Sequence, residues 1–273
     1  MLARTMDDVL RDLDEIIDYS RKNNWGIGYF AALYHHVAIG FKHAIDHHAF
    51  HDSKRIERLD IVFFDRFLTA VDTHRHGGKP SKSWQIAFEA AQQWRPTVMT
   101  NLLLGMNAHI DFDLGIAVAE VVPADDFNGF EPDYNKMNEL LSSLLAVIED
   151  DLARIWPWLG WLHRLLGKVE DGIINFSMRE ARKHAWNNAV KLVKLSTDER
   201  RAKIDEMDDV THGIGWLILH PGILINAVFL LMRLEQHGSV ARLIDILLSD
   251  RAHGRMQRAI ASTVGQWEAP TNE

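Results

Sequence analysis

Cysteine is absent from the chain, which excludes a disulfide framework, a thiolate zinc site, an iron–sulfur cluster and a cysteine nucleophile. Seven prolines and seventeen glycines in 273 residues are too few for a turn-rich all-β fold. Positive charge is in deficit as well: 30 Lys and Arg against 38 Asp and Glu leave a net charge of −8. That balance argues against the concentrated basic face that nucleic-acid binding requires. Residues 1–13 carry Arg4, Asp7, Asp8 and Arg11 and no apolar core, so no signal peptide is legible and a cytoplasmic location is expected. Walker A and Gly-x-Gly-x-x-Gly motifs are missing, as are His-Glu-x-x-His, Gly-x-Ser-x-Gly and the Glu-x-x-His pairs of ferritin-like carboxylate centres. P-loop, dinucleotide, zincin and α/β-hydrolase chemistry are thereby removed.

What the chain has is apolar residues at spacings of three and four almost throughout, which predicts an all-α protein. The expected architecture is one domain of eight to ten helices over residues 1–266, with a loose tail at 267–273. Met6, Val9, Leu10, Leu13, Ile16 and Ile17 mark a first helix, and a second runs from about Gly28 to Ala44. Ser53 reads as the N-cap of a third that ends near Thr73, and a fourth spans Ser83 to Trp94. Residues 97–122 are too apolar for a surface helix and are expected to be the central one. PADDFNGFEPD at 123–133 reads as a loop, followed by a helix to about Ile155. IWPWLGWL reads as a tryptophan-rich bend, and Ser196-x-x-Glu199 as a capping box. Thr211 to Met232 holds no charged side chain, but His212, His220, Pro221 and Asn226 interrupt it. It is expected as a buried helix broken near Pro221 rather than a membrane span.

Histidine is in surplus, fifteen in all, with eight between His35 and His76. His36, His43 and His47 can share a helix face, and imidazoles at that spacing can converge on one ion. A solvated helix end explains His47, His48 and His51 equally simply, whereas His36 sits deeper in the apolar pattern. His109 and Asp113 lie four apart in the most apolar helix, where an unpaired polar side chain is costly. A metal would satisfy them, with Asn107 as a supporting or substrate-contacting amide; a buried His–Asp hydrogen bond that fixes packing is the competing reading. Asp60 lies among apolar neighbours and is expected to face the interior or to pair with Arg58 or Arg66. Arg179 and Arg182 share a face with Trp186 and can hold an acid or an anionic substrate.

RIERLDIVFFDRFLTAV, LLLGMNAHIDFDLGIAVA, FNGFEPDYNKMNELL and REARKHAWNNA together resemble the bacterial family called domain of unknown function 5995. The resemblance implies an all-helical fold and marks Asp60, Asn107, His109, Asp113 and Arg182 as site positions. The family also resembles the nonheme di-iron monooxygenase of platensimycin-type diterpenoid biosynthesis. A further similarity is to the zinc phospholipase C and P1-nuclease fold, whose ligand order His36, Asp60, His74 and His109-x-x-x-Asp113 can fill, without its N-terminal tryptophan or its last ligand pair. The expected function is therefore a metal enzyme with His36, Asp60, His109 and Asp113 as ligands, and Asn107 and Arg182 at the substrate. One or two iron ions acting as an oxygenase centre on a hydrophobic small molecule or its thioester come first, and a zinc phosphoesterase second. A helical binding protein with a buried His–Asp network is the non-enzymatic alternative, and a homodimer stays open.

Overall fold

A computed structural model of the chain describes residues 5–155, 169–222, 229–231, 233–234 and 238–268. Among them every regular element is helical. The chain runs through α1 (Met6–Asn23), α2 (Ile27–Asp46), α3 (Ser53–Arg75), α4 (Lys82–Ala91) and α5 (Val98–Met106), and then enters a π-helical segment (Asn107–Asp113). It continues through α6 (Leu114–Val121), α7 (Phe127–Ile155), α8 (Val169–Leu192), α9 (Thr197–Leu219), α10 (Val240–Leu247) and α11 (Asp250–Glu268). The tryptophan-rich bend expected after Ile155 lies outside the described residues.

Local chemistry sets most boundaries. Thr5 and Asp8 form a capping box at the start of α1, and Asn24 closes the helix in the left-handed region at φ 52°. The N-cap of α3 is Asp52, whose carboxylate accepts from the Arg55 backbone N–H, and not Ser53. The buried Asp133 reaches back from α7 and takes the backbone N–H groups of His51 and Asp52, both at 2.8 Å. This latch fixes the histidine-rich loop before α3. Ser196 and Glu199 form the expected capping box on α9.

Two helices occupy the centre. α2 is buried on nearly every side and packs on α1, α3, α5, α7, α10 and α11. The rod of α5, the π segment and α6 runs from Val98 to Val121, and an 18-residue apolar stretch of it is 78% buried, so its apolar character is that of a core helix. Gly105 permits the close approach of these two: a Cβ there would stand 2.6 Å from the Phe30 ring. Asp208 of α9 caps α4, accepting from the Lys82 and Ser83 backbone N–H groups at 2.7 and 2.9 Å.

Four expectations need correction. α4 ends at Ala91, three residues early. The region 123–133 is not a loop throughout, because α7 begins at Phe127 and carries Pro132 within its second turn. Tertiary packing overrides the proline there: Phe127, Phe130 and Tyr134 stack around Trp186 of α8 with ring centroids at 5.2, 6.4 and 4.7 Å. The uncharged stretch breaks at His220–Gly222 as expected, with Gly222 at φ 94°, yet its described part is mostly not buried. Among its described residues only Thr211 and Gly215 are fully covered, and Trp216 and Leu217 are exposed. Trp267, expected to open a loose tail, belongs to α11, where its indole N–H donates to Glu139 at 2.8 Å.

Candidate functional site

The middle of the central rod is π-helical over seven residues, with the Leu114 N–H bonded to the His109 carbonyl five residues back. Such segments are rare and recur at functional sites, because the wider turn re-aims the side chains it carries. Here it sends Asn107, His109, Asp111 and Asp113 in three directions.

His109 and Asp113 face α3 and α4. The His109 ring lies flat on Phe63, with centroids at 3.5 Å and planes at 6°, and Tyr34, Phe30, Trp84 and Phe67 surround it at 4.8 to 6.1 Å. Asp113 is engaged on both oxygens: Arg66 Nε donates to one at 2.8 Å and Trp84 Nε1 to the other at 2.7 Å. His109 Nδ1 stands 3.5 Å from that second oxygen, a long contact. Burial pushes the imidazole below its usual range, opposed by Asp113, so the ring is neutral. Arg66, Trp84 and Asp113 thus form a buried hydrogen-bonded network, with His109 beside it.

Asp60 lies one turn before Phe63 and is 5% exposed. It faces the interior, as expected, but pairs with neither Arg58 nor Arg66, since Arg66 is committed to Asp113. Burial pushes its carboxyl up to about 7. The Tyr34 hydroxyl is held well above its usual range by burial, then by the charges of Asp60, Asp113 and Asp65. Tyr34 Oη, Asp60 Oδ2 and His109 Nε2 are all buried without a hydrogen-bond partner among the described residues.

The expected ligand set is not assembled. His36 Nε2 is engaged with the Leu247 carbonyl at 2.9 Å, on the α10 side of α2. His74 meets the Gln92 amide at 3.0 Å and stacks on Trp25, while His43 and His47 stack on each other. Both Asp113 oxygens are taken by protein donors. Among the described residues no three His, Asp or Glu side chains converge to hold a metal, so the four predicted ligands do not fit one centre. Arg182 is also elsewhere: it is buried against α7, where Nη2 donates to Ser142 Oγ at 3.0 Å and its carbonyl accepts from Tyr134.

The other face of the π segment was not anticipated. Asp111 points into a cavity of about 390 Å³ between the π segment, α8 and α9. His184, Asn187, Asn188 and Lys191 of α8 line one wall, and Met207, Val210, Thr211 and Ile214 of α9 the other. Burial raises the Asp111 carboxyl to about 6 against the lowering pull of His184. Lys203 and Glu206, which also line the cavity, pair at 2.7 Å, and Lys191 forms no ion pair among the described residues. Asn107, predicted to contact substrate, instead donates from Nδ2 to the Thr211 carbonyl at 2.9 Å and so holds the α9 wall in place. A signal for Asp111 was present in its position: a charged residue between Ile110 and Phe112 on the most apolar helix, two places before Asp113. No local signal marks His184.

The fold and site define an all-α protein with a π-interrupted central helix and a carboxyl–imidazole cavity beside it. The chain belongs to the family of unknown function DUF5995, whose profile matches residues 6–221. No curated protein and no solved structure matches the chain.

Proposed function

We propose that this protein is an enzyme that moves a proton on a small organic molecule held between the π segment, α8 and α9. One observation carries the reading: Asp111 and His184 face the same cavity without bonding to each other. A carboxyl raised to about 6 is mostly ionised at neutral pH yet far more basic than an ordinary aspartate, which suits a general base. Asp111 takes a proton from the bound molecule or from water beside it, and His184 contacts the same molecule from the α8 wall. The Asn187 and Asn188 amides orient the molecule, and Lys191 meets an oxygen that carries negative charge. Asn107 is a positioning residue acting through the Thr211 carbonyl.

Hydrolysis of p-nitrophenyl hexanoate tests this. Asp111→Asn and His184→Gln are each expected to lower kcat/KM by about a hundredfold or more. The parent's activity is expected to fall as pH drops through about 6, because the base becomes protonated. Equal rates for the parent and Asp111→Asn at pH 8 would rule the reading out.

A second reading is supported by the three open polar atoms on Tyr34, Asp60 and His109. Iron, or zinc in its place, held by Asp60 and His109 is the narrowed form of the metal centre expected from the sequence. Bound Fe, Zn and Mn in protein from rich medium, before and after aerobic iron reconstitution, decide it: less than about a tenth of an equivalent removes this reading.

A further inference from the structure

Arg182 lies on the side of α8 turned away from the cavity. At 3.6 residues per turn, His184 stands about 200° around the helix from it. Arg182 is 4% exposed and packs on α7, where Tyr134, Asn138 and Ser142 follow at intervals of four and so share a face. Its Nη2 donates to Ser142 Oγ at 3.0 Å, Ser142 Oγ donates to the Asn138 carbonyl at 2.9 Å, and Tyr134 donates to the Arg182 carbonyl at 2.7 Å. Two atoms of this seam are left open. Arg182 Nη1 and Asn138 Oδ1 are both buried with no hydrogen-bond partner among the described residues.

A guanidinium is charged at any working pH, and holding it out of water is expensive without a counter-charge. No carboxylate among the described residues supplies one: the charges that reach Arg182 are those of Tyr134 and Arg179, a second cation one turn back on the same side of α8. Arg179 is exposed, so positive charge leads from the surface to the buried Arg182. We infer that the seam between α7 and α8 binds a small oxyanion that also carries a hydroxyl, of the hydrogen phosphate or hydroxycarboxylate type. An oxygen of the ion accepts from Arg182 Nη1, the planar donor suited to such groups, and its hydroxyl donates to Asn138 Oδ1. One ion thus meets both open atoms. Sulfate or acetate, which only accept, would meet Arg182 and leave Asn138 Oδ1 facing them without a donor. No residue proposed for proton transfer takes part, and the bound ion ties α8 to α7.

Titration calorimetry and thermal unfolding of the full chain in Tris chloride test this, with inorganic phosphate and glycolate set against sulfate and acetate. Phosphate or glycolate is expected to bind at least about tenfold more tightly than its hydroxyl-free counterpart. The tighter of the two tells a phosphate from an organic acid as the ligand. That ion is expected to raise Tm by about 5 °C at a hundred times its dissociation constant. Arg182→Gln is expected to remove both the binding and the shift. Asn138→Asp, at a half-buried position, supplies the missing counter-charge from within the chain. It is expected to lose the ion yet melt no lower than the ion-free parent, which separates loss of the site from loss of the fold. Failure of all four ions to bind overturns the inference. So does equal binding of each ion and its hydroxyl-free counterpart, or undiminished binding in both variants.

Discussion

The two faces of the π segment differ in one physical respect. On the α3 side, His109 is buried among aromatic rings, and Asp113 accepts from Arg66 and Trp84 on its two oxygens with His109 Nδ1 at 3.5 Å. On the α8 side, Asp111 meets a cavity and faces an imidazole it does not touch. Polar residues conspicuous in an apolar helix were the obvious candidates for chemistry. Asp113, deeply buried, turns out to be engaged on both oxygens by Arg66 and Trp84, whereas the partly exposed Asp111 makes no hydrogen bond among the described residues. Burial alone is thus a poor guide; what counts is whether the group's hydrogen-bonding capacity is already spent.

Stability measurements break or sharpen this contrast. Asp113→Ala removes the acceptor of two buried or half-buried donors and is expected to cost about 3 to 5 kcal/mol in urea unfolding. A loss below about 1 kcal/mol would show that the sealed side is not the structural one.

Asp60→Asn comes next. The folded carboxyl at about 7 lies above its ordinary value of 3.8, so the folded state holds a proton that the unfolded chain has released. Its contribution is fully present below pH 4 and is lost as pH rises to about 7. The neutral amide escapes that slope, and Asp60→Asn is expected to be more stable than the parent by about 2 to 4 kcal/mol at pH 8. Parallel stability curves between pH 4 and 7 for the two proteins would place the raised carboxyl elsewhere.

Asp111→Asn is expected to shift stability less than Asp60→Asn and in the same direction, by about 1 to 2 kcal/mol at pH 8, because its carboxyl is raised from 3.8 only to about 6 and makes no hydrogen bond among the described residues. A large loss would move it to the structural side of the comparison.

Much of the fold was legible because it rests on local rules. The three-and-four spacing of α1, the capping box at Ser196 and Glu199, and the apolar run of the central rod each depend on neighbours within a few residues. The burial of Asp60, His109 and Asp113 was legible for the same reason, from their apolar setting. Their partners were not. Arg66 lies 47 residues from Asp113, and Trp84 lies 29 residues away. The π segment has no compositional mark, since one extra residue per turn changes hydrogen-bond register and not residue type. Pro132 reads as a helix stop and is overruled by the aromatic contacts to Trp186 that only the packed chain supplies.

Taken by itself, the sequence determined that the chain is all-helical, that residues 98–121 form its core, and that no thiolate can take part in its chemistry. Periodicity and composition are local properties, and folding cannot alter them. Tertiary structure decided which polar groups are spent and which are available. It turned His36 to a backbone carbonyl, closed Asp113 between Arg66 and Trp84, and set Asp111 across a cavity from His184. Those outcomes depend on side chains tens of residues apart meeting in one place, and on a backbone register that no spacing of residues records.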